Sequence, residues 1–392
     1  MLLFTLILTL IAEYIEIDIS VPGFPDMANY FNVSTGIIQS TVTYNFLGIC
    51  ISVLIFGPLS ECYGRRKVII AGSTMLLIGA IGCIIAPSIN WLLISRFIQG
   101  IGAGTSAIIF AVVADKYQGN KAVSILSIMN AITTVATAIA PVIGSFINEA
   151  IGWRGNYFSI ALISFVSWVL LLAILPETKK DLAVFSIKKI TEDYRKLLTS
   201  SKFIALTVIQ GFLSGAYMSF IVCAPFLYIK TFGLHNTIYA LNQGAVIGCF
   251  SIVSLFSSKI IKRLKAKSYV ILGTFIIFIG SLLLAAFSII IPYVFYAVTL
   301  SMIVFATGAG ICFATIFNAS INVFPEVKGT ASSAISLIRS MIMAIFIGLT
   351  SHVFNGKTIS VSFIILFAVA LQLMFTIYLI RLPKVFDIDS IE

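Results

Sequence analysis

Twelve apolar, almost uncharged stretches separated by short loops constrain this chain more than any other feature of its sequence. A bilayer hydrocarbon core of about 30 Å takes about 20 apolar residues per helix. The stretches fall at about 2–21, 36–60, 68–86, 91–113, 122–147, 156–176, 203–228, 237–258, 268–290, 293–322, 329–354 and 358–380. They are apolar throughout, whereas a membrane strand alternates polar and apolar residues, so an all-α membrane protein is expected and a barrel is not. Composition agrees. The 392 residues are 59% hydrophobic and 10% charged, with a mean hydropathy of +1.09. No soluble interior of that size hides so much apolar surface.

The net charge of +10 raises nucleic acid as a partner, but the placement of the bases argues for topology control instead. Twenty of the 25 Lys and Arg fall in loops on one side of the alternating spans. Arg154, Lys230 and Lys357 fall on the other, and Arg96 and Arg339 lie within spans. The positive-inside rule then places both termini in the cytoplasm. Five of the six cysteines lie in predicted spans and Cys62 in a cytoplasmic loop, so all read as small packing residues and not as bridges. Met1–Ala12, followed by Glu13, Glu16 and Asp18, reads as the start of a retained first span and not as a signal peptide.

The longest polar segment, 177–202, divides an N-terminal six-span half (1–176) from a C-terminal one (203–392) with a short cytoplasmic tail. Within it, Ser186–Leu198 reads either as a basic amphipathic helix on the inner leaflet or as a solvated connector. The halves are weakly alike. Gly102-Ala-Gly104 and a loop ending at Lys121 recur as Gly308-Ala-Gly310 and a loop ending at Lys328, offset by 206 and then 207 residues. The basic loop Arg65–Lys67 has a degenerate counterpart in Lys262–Lys267. Repeats of equal orientation place a substrate site near the midplane, between the halves.

Four local motifs carry a resemblance. Gly57-Pro-Leu-Ser-Glu-Cys-Tyr-Gly-Arg-Arg-Lys67 joins the second and third spans. Arg96-Phe-Ile-Gln-Gly-Ile-Gly-Ala-Gly104 lies in the fourth, and Ala140-Pro-Val-Ile-Gly-Ser145 in the fifth, followed by Gly152-Trp-Arg154. Asp18-Ile-Ser-Val-Pro-Gly-Phe-Pro25 ends the first, and Leu175-Pro-Glu-Thr178 follows the sixth. Along essentially its whole length the chain resembles the major facilitator superfamily, and within it the drug:proton antiporters of the bicyclomycin-resistance (Bcr/CflA) type. The resemblance implies a multi-pass protein of the bacterial inner membrane that acts by alternating access. It implies proton-coupled efflux of small amphipathic drugs. A proton-coupled or facilitated transporter of a metabolite is the alternative. A membrane enzyme is unsupported, because the chain shows no soluble domain and no catalytic set.

The motifs also have a physical reading. Gly57 permits close helix approach and Gly64 a tight turn, while Arg65, Arg66 and Lys67 hold the loop to the cytoplasmic face. Glu61 is expected to accept hydrogen bonds from a helix N-terminus or an Arg of the neighbouring span. In the family this loop latches the outward-facing state, and here Cys62 replaces an Arg of the family pattern. Arg96, with Gln99, is either functional or snorkels from near the outer end. The resemblance implies a role for it in proton coupling or substrate contact. The glycines around it suit helix packing and not a nucleotide, because no strand precedes them. Pro141 removes a backbone hydrogen bond and can bend its helix; the resemblance implies that this kink, in the motif with Gly144, separates exporters from importers, although Ser145 stands where that motif ends in Gly.

Carboxylates in hydrocarbon must protonate, pair or face water. Glu13, Glu16 and Asp18 are the only acids within a predicted span. At about 100° per residue, one straight helix cannot aim all three at one cavity. Pro22 and Pro25 remove the N–H donors for the Asp18 and Val21 carbonyls, so an irregular backbone is expected there. Asp18 is the first candidate proton carrier and Glu13 the second, with pairing to Arg96 the alternative fate for either glutamate. Arg339 either pairs with a first-span acid or attracts an anionic substrate, and His352 reads as interfacial. Tyr14, Tyr44, Asn45, Gln99, Tyr217 and Phe220 are candidate cavity residues, with lipid-facing packing the alternative for the aromatics. No metal cluster and no Walker motif is present, so no cofactor is expected and the proton gradient is the energy source. The expected partners are membrane lipid, protons and a small-molecule substrate, with no nucleic acid, and the chain is expected to act as a monomer.

Overall fold

The computed structural model describes residues 1–179, 187–261, 266–324 and 327–381. The repeat loop at Lys262–Lys265 and the start of the predicted amphipathic segment at Ser186 lie outside these residues. Among the described residues there is no strand, and eleven spans are long and apolar enough to cross a membrane.

The first crossing is the exception. It was expected as one helix over 2–21, but α1 (Leu2–Ile15) stops early. Residues 16–20 are turns, Val21–Gly23 is a 3-10 turn, and α2 (Phe24–Phe31) completes the passage to a left-handed Asn32. The cause is the expected one: Pro22 and Pro25 cannot donate, and the backbone closes shorter bonds, such as Ser20 N–H to Ile17 O at 3.0 Å. The second and third crossings are α3 (Thr35–Tyr63) and α4 (Arg65–Ile84). The fourth was expected to be continuous but is divided into α5 (Ile89–Ala103) and α6 (Ser106–Lys116) at Gly104–Thr105. α7 (Gly119–Ile151), with Pro141 inside it, and α8 (Trp153–Ile174) complete the first half.

The short α9 (Ile187–Thr199) precedes α10 (Ser201–Pro225), which ends in a π turn over Phe226–Thr231. Then come α11 (Asn236–Ile261), α12 (Ala266–Ile290), α13 (Phe295–Ile321), α14 (Lys328–Val353) and α15 (Thr358–Arg381). α9 is more than a solvated connector. Its Leu197 is buried in a cluster with Phe203, Ala331, Ala334 and Ile335.

Packing repeats between the halves. α5 lies against α3 and α4, and α4 against α8; likewise α13 lies against α11 and α12, and α12 against α15. α1 packs on α7 and α8, as α10 packs on α14 and α15. The halves meet where α3 crosses α14 and α7 crosses α11. At the predicted outer end, Gln39 donates to the Val222 carbonyl at 3.2 Å, and Lys230 donates to Asn29 at 3.0 Å. All six cysteines are free, and His352 is exposed.

Candidate functional site

Between the halves lies a cavity of about 370 Å3. The first half lines it from α1 and the turn after it, α3, the α5–α6 joint and α7. The second half lines it from α10, α11, α13 and α14. Its walls are largely apolar, with Phe46, Ile49, Met218, Phe250, Phe305 and Met343 among them.

Glu13, Glu16 and Asp18 all line this one cavity. A straight helix could not present them so, and the break after Ile15 is what allows it. α7 holds the break in place. A side chain at Gly144 would run into the backbone of Ile19, so this glycine sets the close approach. The three acids are then held differently. Glu13 accepts a short hydrogen bond from Thr105, the residue at the joint of α5 and α6, and its other oxygen is buried without a partner. Glu16 accepts from Asn45 Nδ2 at 2.9 Å and pairs with Arg96 Nη1 at 3.5 Å. Asp18 makes no side-chain bond to another residue among the described residues, and Tyr217 and Tyr239 of the second half lie within its field.

Arg96 is fully buried behind the cavity wall and does not line it. Besides Glu16 it donates to Gln99 Oε1 at 2.8 Å, and it sits over the Tyr157 ring at 5.7 Å. Snorkelling is therefore wrong, and so is direct substrate contact in this conformation; of the expected fates, pairing with Glu16 is the one found. Arg339 does line the cavity. It makes no ion pair with a first-span acid among the described residues, and its Nε is buried without a partner.

The other candidate cavity residues divide. Tyr14 and Tyr217 line the cavity, whereas Tyr44, Asn45, Gln99 and Phe220 do not. Tyr44 is exposed outside the cavity, and Phe220 is buried in the core. Asn45 and Gln99 hold Glu16 and Arg96 from behind. Sequence reasoning missed Ser106 and the α7 threonines Thr133, Thr134 and Thr137 on the wall, and Thr105 buried behind it. Hydroxyls are too common in apolar helices to stand out by spacing. The glycines of the fourth span do pack helices: a side chain at Gly100 would meet the Asn45 backbone, and one at Gly102 the Leu76 backbone.

Far from the cavity, the loop between α3 and α4 is a network. Arg65 bonds Glu61 at 2.6 Å, Asp115 at 3.3 Å and Ser60 at 2.6 Å. Glu61 also pairs with Lys179 at 2.6 Å, a cation supplied from beyond α8 where Cys62 supplies none. The α4 N-terminus is capped by Glu177 and not by Glu61. The Glu177 carboxylate accepts the N–H groups of Arg65 at 2.9 Å and Arg66 at 3.2 Å. Gly64, at φ +96°, makes the turn that brings them there. The Arg66 side chain donates to the Leu172 carbonyl at 2.9 Å. Gly57 faces Ser333 of α14, so the motif touches the other half. Arg154 ties the opposite end, donating to the Ile84 and Ala86 carbonyls at 2.9 and 3.1 Å beneath Tyr30 and Trp153.

Known proteins resemble this arrangement along its length. Residues 3–347 match the family model described as Major Facilitator Superfamily. The chain is 26% identical to the chloramphenicol resistance protein CraA of Acinetobacter baumannii, over 86% of this chain and 82% of that one. It is 25% identical to the multidrug transporter MdfA of Shigella boydii, over 91% and 88%. In fold it is similar to a crystal structure of a D-xylose-proton symporter, at a TM-score of 0.77 and 16% identity over 95% of this chain and 97% of that one.

Proposed function

This chain belongs to the Major Facilitator Superfamily, and from that premise we propose that it is a proton-coupled exporter of small amphipathic compounds, of the bicyclomycin-resistance type. It is a multi-pass membrane transporter. The observation that carries the finer reading is the placement of three carboxylates on the wall of a largely apolar cavity between the halves. Asp18, free of side-chain partners, takes the proton; Glu13, bonded on one oxygen, is the second station. Arg96 sets the charge of Glu16 from behind the wall and so acts by positioning. The relatives named for chloramphenicol and multidrug resistance support this reading. The proton gradient is the energy source, and no cofactor takes part. The 20 bases on one side support a bacterial cytoplasmic membrane setting with both termini inside, and the protein acts as a monomer.

In this reading the halves rock about the cavity, and contacts between them are alternately made and released: the Gln39–Val222 and Lys230–Asn29 bonds at one end and the approach of Gly57 to Ser333 near the other. Ionised Asp18 accompanies the ligand-loaded cavity, and its protonation from the outer side removes that charge and displaces the ligand, so proton and ligand occupy the cavity in turn and move in opposite directions. The test is transport of chloramphenicol and a panel of amphipathic dyes in proteoliposomes under an imposed pH gradient. Gradient-driven flux is expected, with Asp18→Asn still binding ligand but losing coupling. Flux that ignores the gradient, or an Asn variant that keeps full coupling, overturns the reading. Ser145, where the exporter motif closes with Gly, favours a second reading as a metabolite importer, and the direction of flux in the same vesicles separates the two.

A further inference from the structure

Arg339 is the one cavity-lining cation among the described residues, and the acids do not use it. Each acid of the first half has its own setting: Glu13 with Thr105, Glu16 with Asn45 and Arg96, Asp18 toward Tyr217 and Tyr239. Tyr14 is the ionisable group that faces the guanidinium, and Nε is enclosed with nothing to donate to. A guanidinium kept in an apolar cavity without a partner is costly, and its planar fork matches a carboxylate in two parallel hydrogen bonds. The surrounding wall offers apolar surface from Met343 on the same helix and Phe305 and Phe313 on α13.

We propose that Arg339 is the anion subsite of the cavity, and that the transported compounds include amphipathic zwitterions whose carboxylate binds Arg339 while their basic group lies toward the Asp18 side. This rests on the central cavity being the transport site. It narrows the substrate class: a compound with only a cationic group leaves Arg339 unpaired, and one with both groups satisfies each half.

The test uses the purified full-length protein and two dyes that differ at one group, rhodamine 110 with a free carboxylate and rhodamine 123, its methyl ester. Affinities are read by fluorescence polarisation for the wild type, Arg339→Gln, Arg339→Lys and a cavity-filling Ala309→Trp. Wild type is expected to prefer rhodamine 110 by about tenfold or more, the size of one charge-assisted contact. Arg339→Gln is expected to abolish that preference and Arg339→Lys to restore part of it. Lysine rescue also separates ligand contact from a folding defect. If wild type binds the ester as tightly as the acid, and Arg339→Gln leaves the ratio unchanged, the anion subsite is overturned while the cavity stands. If Ala309→Trp leaves binding of both dyes intact, the cavity is not the site, and the inference falls with it.

Discussion

The fourth span of the first half and α13 of the second pack against equivalent neighbours, yet only the first is broken. Both carry Gly-Ala-Gly, at 102–104 and 308–310, so those glycines do not break a helix by themselves. At the 206-residue offset, Thr105 of the first half corresponds to Ile311, and Arg96 to Met302. Where the first half has a hydroxyl that bonds Glu13 and an arginine that bonds Glu16, the second has two apolar side chains. The joint follows the polar contact. The scaffold is shared, and the buried acids and the arginine that pairs with one of them are found in the first copy of it. Arg339 answers from the other copy, where its counterpart at the 207-residue offset is Ile132.

The two buried arginines give the sharpest way to break this contrast. Arg96→Ala strands Glu16 in the interior, and losing one partner of a buried pair costs about 3–5 kcal/mol. A large drop in thermal unfolding temperature in detergent is expected. Arg96→Met with Glu16→Gln is expected to recover much of it, because Met302 fills the equivalent position in the second half. If the double variant is no better than the single, Arg96 is held by something other than its charge partner. Gly144→Leu comes next. It forces α7 away from Ile19, and overpacking of that kind costs about 1–3 kcal/mol. Thr105→Val removes one neutral donor from Glu13, a loss of about 1 kcal/mol, whereas Ile311→Thr is expected to leave stability nearly unchanged. Equal effects at the two positions would dissolve the contrast between the halves. Smallest is Glu177→Gln at the exposed cap of α4, about 0.5 kcal/mol and fading with added salt.

Much of the fold was legible because hydropathy at bilayer length leaves few solutions. Eleven crossings fall within a few residues of their predicted ranges. The misses share a cause: a break in a span shows only where a breaker residue sits. Pro22 and Pro25 announced the irregular stretch after α1, although not that α2 would continue beyond it. Gly104–Thr105 announced nothing, because Gly-Ala-Gly is also a packing motif. In the site, charges were easy to find and their partners were not. Glu13, Glu16, Asp18, Arg96 and Arg339 stand out against an uncharged background, but which of them meet depends on helix rotation and on that break. Glu177 stood in the sequence only as part of the Leu175–Thr178 motif, with no capping role legible, because its partners are N–H groups 111 and 112 positions away.

The Gly144–Ile19 contact carries a mechanical consequence. Two backbones touch there with no side chain between them to flex, so the contact behaves as a gear tooth and not as a cushion. A slide of α7 by one residue's rise, about 1.5 Å, passes undamped to the turn beside Asp18. Since α7 also crosses α11 of the opposite half, relative travel of the two halves and the position of the Asp18 turn are geared together through bare main chain.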